Sequence, residues 1–191
     1  MDNFFDSLEK KILLSDEEVL FNIEKIKEYS RNYLLDNIEE KPKNERGFYF
    51  EEIVCDLFRY LNFKVIQTKK TRDFGLDGII ETELEPFGKL KLGLQVKWKK
   101  INASDVDLFI QALNFAEIRL GILLCKTTGD IKKYKLSSKI KAILSSFDND
   151  VKNDPNISEL YLEPIFILKF DDIVDIFSQR VRNLVSAVYK R

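Results

Sequence analysis

The sequence predicts an α/β protein, a mixed sheet flanked by helices, with further helical segments at both ends. Three observations carry this reading. The middle of the chain runs helix, strand, strand, strand, helix, strand, judged by where apolar residues change from helical spacing to alternation. Leu120-Gly121-Ile122-Leu123-Leu124-Cys125 is a continuous run without a charged residue, as expected of a strand covered on both faces. Both ends of the chain carry apolar residues at helical spacing.

The elements follow in order. Residues 2–13 and 16–38 read as two helices, the second with Val19, Leu20, Ile23, Ile26 and Tyr29 at helical spacing and with Ser15 and Glu18 placed as a capping box. The polar stretch Glu39 to Glu45, which contains Pro42, ends that pattern. Gly47 to Leu61 is a helix with the stripe Phe50, Ile53, Val54, Leu57 and Leu61, and Phe63 to Thr68 is a strand. Leu76 to Leu84 and Leu90 to Trp98 are strands joined across Glu85-Pro86-Phe87-Gly88-Lys89 as a hairpin, so the strands begin antiparallel. Ser104-Asp105-Val106-Asp107 caps a helix running to about Glu117, and the apolar strand from Leu120 follows. Helices at about 130–148 and 171–190, with a strand from Leu160 to Phe170 between them, complete the chain. The expected division is a helical extension over 1–43, a core over 44–150, and a strand and helix over 151–191 that pack on it.

Composition narrows the function classes. At 191 residues the chain suits one well-packed core with decorations, and 45% apolar with 33% charged residues is ordinary for a globular protein. No apolar run reaches the roughly 18 residues of a membrane span, and Met1-Asp2-Asn3-Phe4-Phe5-Asp6 is acidic where a signal peptide is basic, so a cytoplasmic protein is expected. There is no histidine, which excludes a serine-histidine triad, a histidine base and a typical zinc site. Cys55 and Cys125 have no CxxC or Cys/His neighbour and are expected in the core, as are Trp98 and the phenylalanines. Charge is uneven. Residues 1–40 hold five Lys/Arg and eleven Asp/Glu, leaving 26 and 21 for residues 41–191, so the basic part coincides with the strands.

One strand carries chemistry. In Leu92-Gly93-Leu94-Gln95-Val96-Lys97-Trp98, alternation puts Leu92, Leu94, Val96 and Trp98 on one face and Gly93, Gln95 and Lys97 on the other. An amide and an ammonium inside an apolar strand lose hydration unless something compensates them. The preceding strand opens with Asp73-Phe74-Gly75-Leu76-Asp77-Gly78, and antiparallel pairing would set Asp77 beside Gln95 and Lys97. Asp77-Gly78 by itself is also a common turn dipeptide. Mg²⁺ takes few carboxylates, several waters and phosphate oxygens, so Asp77, Gln95 and the Val96 carbonyl would make a partial shell. Lys97 would then activate a water or stabilise charge on a scissile phosphate. Lys69, Lys70, Arg72, Lys99 and Lys100 could contact DNA phosphates.

Arg46-Gly47-Phe48-Tyr49-Phe50-Glu51, then Asp73-Phe74-Gly75-Leu76-Asp77, then Gln95-Val96-Lys97, resembles the catalytic domain of Mrr-type restriction endonucleases in the PD-(D/E)xK nuclease superfamily. Ser104-Asp105-Val106 and Gly121-Ile122-Leu123 extend the likeness, which covers roughly residues 46–128. The resemblance implies a restriction-endonuclease-like αβββαβ core and phosphodiester hydrolysis dependent on Mg²⁺ or Mn²⁺. It makes Asp77 the principal metal ligand, puts Gln95 in place of the second acidic residue, makes Lys97 the catalytic lysine, and gives Glu51 as a helix carboxylate reaching the metal directly or through water. The expected partner is double-stranded DNA, with a homodimer to cut both strands, no membrane and no nucleotide cofactor. Two other readings fit the same residues: a Holliday-junction or repair nuclease on this fold, and an inactive nuclease-like module that binds DNA, which the amide at Gln95 keeps open.

Overall fold

The computed structural model describes residues 3–68, 75–84, 88–129 and 165–189. Three helices lead: α1 (Phe4–Leu13), α2 (Glu17–Leu20) and α3 (Ile23–Glu39). The helix expected over 16–38 is therefore two. Asn22 causes the break: its side chain accepts the Glu24 and Lys25 N–H groups and caps α3. The Ser15–Glu18 capping box does not form, because the Ser15 hydroxyl instead donates to the Ile12 carbonyl and closes the end of α1.

Next come α4 (Arg46–Tyr60), β1 (Lys64–Gln67), β2 (Gly78–Leu84) and β3 (Gly88–Ile101). Then follow α5 (Ala103–Phe115), β4 (Leu120–Thr128), β5 (Ile165–Lys169) and the helix α6 (Phe170–Tyr189). The helix expected at about 130–148 lies outside the described residues. The five strands form one mixed sheet in the order β1-β2-β3-β4-β5, antiparallel from β1 to β3 and parallel from β3 to β5. The α/β class and the mixed, helix-flanked sheet expected from the sequence are what the structure contains.

The two sheet faces have separate cores. Ile80, Leu94, Val96, Ile122 and Leu124 face α4 and α6, and Phe5, Leu8, Ile26 and Leu34 from the leading helices join the same cluster. Leu123, Cys125 and Ile165 face α5, against Val106, Phe109, Ile110 and Leu113. Glycine lets α5 come close: a Cβ on Gly93 would lie 2.3 Å from Leu113, and one on Gly121 would lie 2.6 Å from Phe109. Both cysteines are buried, as expected. The phenylalanines are not uniformly internal, however. Phe21, Phe48, Phe115 and Phe166 are exposed: Phe21 just follows α2, Phe48 is in the first turn of α4, Phe115 ends α5, and Phe166 is on β5, where the sheet ends.

Candidate active site

The site forms where β2 parts from β3. The ladder between them ends at the pair Gly78 and Leu94. One residue earlier, the Asp77 N–H still donates to the Leu94 carbonyl at 2.8 Å, while its carboxylate Oδ2 accepts the Val96 N–H at 2.6 Å. Asp77 thus substitutes a side-chain oxygen for a strand partner, and its carboxylate is fixed against the β3 backbone. The N–H and C=O of one strand residue point to the same neighbour, so the Val96 carbonyl faces the same opening. Asp77-Gly78 is not a hairpin turn: Gly78 is the first residue of β2 and pairs with Gln67 and Leu94. Thr68 braces this segment, its N–H donating to the Asp77 carbonyl at 3.2 Å and its hydroxyl to the Leu76 carbonyl.

Gln95 is 8% exposed, on the sheet face covered by α5. Its Nε2 donates to the carbonyl of Gly75, whose φ of +93° is a conformation that glycine adopts without strain. Its Oε1 is buried and has no hydrogen-bond partner among the described residues. A buried acceptor left unpaired costs about 1–3 kcal/mol.

Lys97 follows on the same face and is partly buried. Its Nζ lies 3.7 Å from Asp105 Oδ1, and Lys99 Nζ lies 2.8 Å from the same oxygen. Asp105 sits in the first turn of α5 and is 5% exposed. Its other oxygen accepts the Asn102 N–H at 3.0 Å, while the Asn102 side chain accepts the Asp105 N–H, a complete capping box. Burial pushes the Asp105 carboxyl upward, but the Lys99 hydrogen bond, the Asn102 N–H and the Lys97 charge outweigh it and hold the group below the usual carboxylate range.

Glu51 comes from α4, on the opposite sheet face to Gln95 and Lys97, and is half-buried beside exposed Glu52. The buried Cys55 thiol, one turn along α4, is pushed up to about 12 by its burial, with smaller contributions from the Asp77 and Glu51 carboxylates. Both carboxylates are therefore within electrostatic reach of that sulfur. Lys99 and Lys100 are exposed near the C-terminal end of β3. Lys69, Lys70, Arg72 and Asp73 lie outside the described residues.

Among the described residues there is no group of three Cys, Asp or Glu placed to hold a metal ion. The candidate oxygens are the Asp77 carboxylate, the Gln95 amide, unpaired among the described residues, and the Val96 carbonyl. That set fits a hard cation such as Mg²⁺, which keeps most of its waters and uses few protein ligands. The structure keeps Gln95 and Lys97 on one sheet face and bonds Asp77 to the backbone of Val96 between them. Sequence reasoning missed the Val96 N–H as the group fixing Asp77, and Asp105 as the partner of Lys97. The Asn102-x-x-Asp105 spacing was the available signal for the second.

A five-stranded mixed sheet with helices on both faces is an α/β architecture consistent with the restriction-endonuclease-like fold. The Mrr_cat family model, described as a restriction endonuclease, matches residues 43–135. That span holds α4, β1 to β4, α5 and every candidate residue named above, and the match supports a restriction-endonuclease-type nuclease domain over it. No curated protein and no solved structure gave a significant match to this chain. No helix among the described residues is long and apolar enough to cross a membrane.

Proposed function

We propose that this protein is a divalent-metal-dependent DNA endonuclease of the Mrr-like restriction type. The observation that carries the reading is the Asp77 carboxylate held on the Val96 N–H, with the neighbouring Gln95 Oε1 buried and unpaired among the described residues. Asp77, Gln95 and the Val96 carbonyl would hold Mg²⁺ or Mn²⁺, with Glu51 approaching from α4 directly or through water. When bound, such an ion supplies Lewis-acid charge opposite the scissile phosphate and lowers the pKa of water. Lys97 orients the attacking water or offsets charge developing on the phosphate oxygens. Lys69, Lys70, Arg72, Lys99 and Lys100 grip the backbone of double-stranded DNA without reading bases. A homodimer would present two such sites to the two strands, in the cytoplasm.

The test is cleavage of methylated and unmethylated plasmid DNA by wild type, Asp77→Ala and Lys97→Ala, each with Mg²⁺, Mn²⁺ or EDTA. Metal-dependent cleavage by wild type that both variants lose is the expected result. The amide at Gln95, in place of a second carboxylate, favours one competing reading, a DNA-binding module without activity. Wild type that binds linear, supercoiled and branched DNA but cuts none of them would establish that module instead.

A further inference from the structure

A lysine side chain has four rotatable bonds and does not hold its ammonium still unaided, so a Lys97 that acts on a water or a phosphate needs an anchor. The structure supplies a fixed anchor. Asp105 is buried in the first turn of α5, and one of its oxygens is tied to the Asn102 backbone in the capping box. The helix that carries it is seated on the sheet at Gly93 and Gly121, where no side chain would fit without displacing Leu113 or Phe109. The remaining oxygen, Oδ1, faces two lysines at unequal distances, Lys99 at 2.8 Å and Lys97 at 3.7 Å.

We propose that Asp105 is the positioning residue for Lys97, and that Lys99 keeps the two from closing into a tight pair. Resting on the nuclease reading, this assigns the second helix of the core a part in the reaction. A carboxylate bonded to Lys97 alone would hold the ammonium away from substrate. With Lys99 satisfying Oδ1 at hydrogen-bond distance, Lys97 lies in the field of the carboxylate yet can turn toward a phosphate or water beside Asp77. When it turns, Asp105 keeps Lys99 and is never a buried, unpaired charge. The arrangement restrains one lysine with a second that is itself more exposed.

The experiment compares wild type with Asp105→Asn, which keeps an oxygen to accept the Asn102 N–H but loses the charge, and with Asn102→Gly, which weakens the cap but leaves that charge. NMR relaxation of the lysine side chains reports how far the end of Lys97 is ordered, whether or not the protein cleaves DNA. The expected result is an ordered Lys97 in wild type and Asn102→Gly. In Asp105→Asn its order falls to that of exposed lysines such as Lys43. Cleavage should show about a 10- to 100-fold lower kcat in Asp105→Asn, the scale of a small misplacement of a catalytic group, with KM for DNA within about twofold. Asn102→Gly should lose stability and keep kcat. Unchanged Lys97 order in Asp105→Asn, or a kcat loss that Asn102→Gly reproduces, overturns the proposal. Wild type without cleavage, but with Lys97 released in Asp105→Asn, would sink the nuclease reading while leaving Asp105 as the anchor of Lys97.

Discussion

Gln95 is the residue at which the site departs from a two-carboxylate pattern, and its chemistry sets a prediction. Its Nε2 is used by Gly75 and its Oε1 is unpaired among the described residues, so the side chain contributes a neutral oxygen. Gln95→Glu adds a negative charge beside Asp77 at the loss of the hydrogen bond to Gly75. The Mg²⁺ concentration for half-maximal cleavage should fall about tenfold, because cation affinity follows ligand charge; an unchanged requirement would mean that Gln95 does not face the metal. The cysteines give a second residue-scale prediction. Burial pushes Cys55 up to about 12 and Cys125 up to about 11, from an ordinary value of 9.0. With the folded values above the unfolded one, the thiols' contribution to stability is complete below about pH 9 and is lost as pH rises toward 11 and 12. Native protein at pH 8 should therefore leave both thiols unlabelled by a disulfide reagent. Between pH 9 and 11 the urea midpoint should drop more in wild type than in Cys55→Ala, each measured against its own value at pH 8.

Among the elements, α5 most directly couples fold to site. Its seating depends on two glycines, one on β3 and one on β4, and its first turn carries Asp105. Gly121→Ala places a methyl group against Phe109 and Leu113 in a core with no room for it, at a cost of about 1–3 kcal/mol in a urea titration. If α5 positions Lys97 as argued, the same change lowers kcat even at temperatures where the variant is fully folded. A variant with unchanged unfolding would show that α5 can shift outward without strain. The sheet opening is also an element-scale feature. Asp77 precedes the ladder with β3, and bonding of its carboxylate to a backbone N–H follows from β2 beginning one residue later.

At the scale of the molecule, the leading helices share their core with the sheet. Phe5 of α1 packs against Tyr60 of α4 and Phe177 of α6, with ring centroids 6.0 and 5.0 Å apart. Arg31 and Lys27 of α3 pair with Asp171 and Asp175 of α6. We therefore expect residues 1–43, though set apart by composition, to unfold with the core. Phe5→Ala should cost about 3–5 kcal/mol and shift one transition seen alike by circular dichroism and Trp98 fluorescence. Two separated transitions would mean that the helical extension is an independent unit.

The sequence by itself determined the order of elements, the antiparallel start of the sheet and the shared face of Gln95 and Lys97. These follow from local periodicity: an alternation of two or of 3.6 residues is written in the chain wherever one face is buried. It also put Asp77 at the start of the strand that pairs with the Gln95 strand, since β2 and β3 pair over a short separation. What it misjudged locally, the break at Asn22 and the role of Ser15, turned on which of several polar side chains reached a free backbone group first. Only the tertiary structure decided that Asp105 meets Lys97 and Lys99, that Gln95 Oε1 is unpaired among the described residues, and that Glu51 lies on α4, across the sheet from Gln95. Those relations depend on how α4 and α5 dock on opposite sides of the sheet, a matter of side-chain volume between elements distant in the chain, which periodicity does not encode.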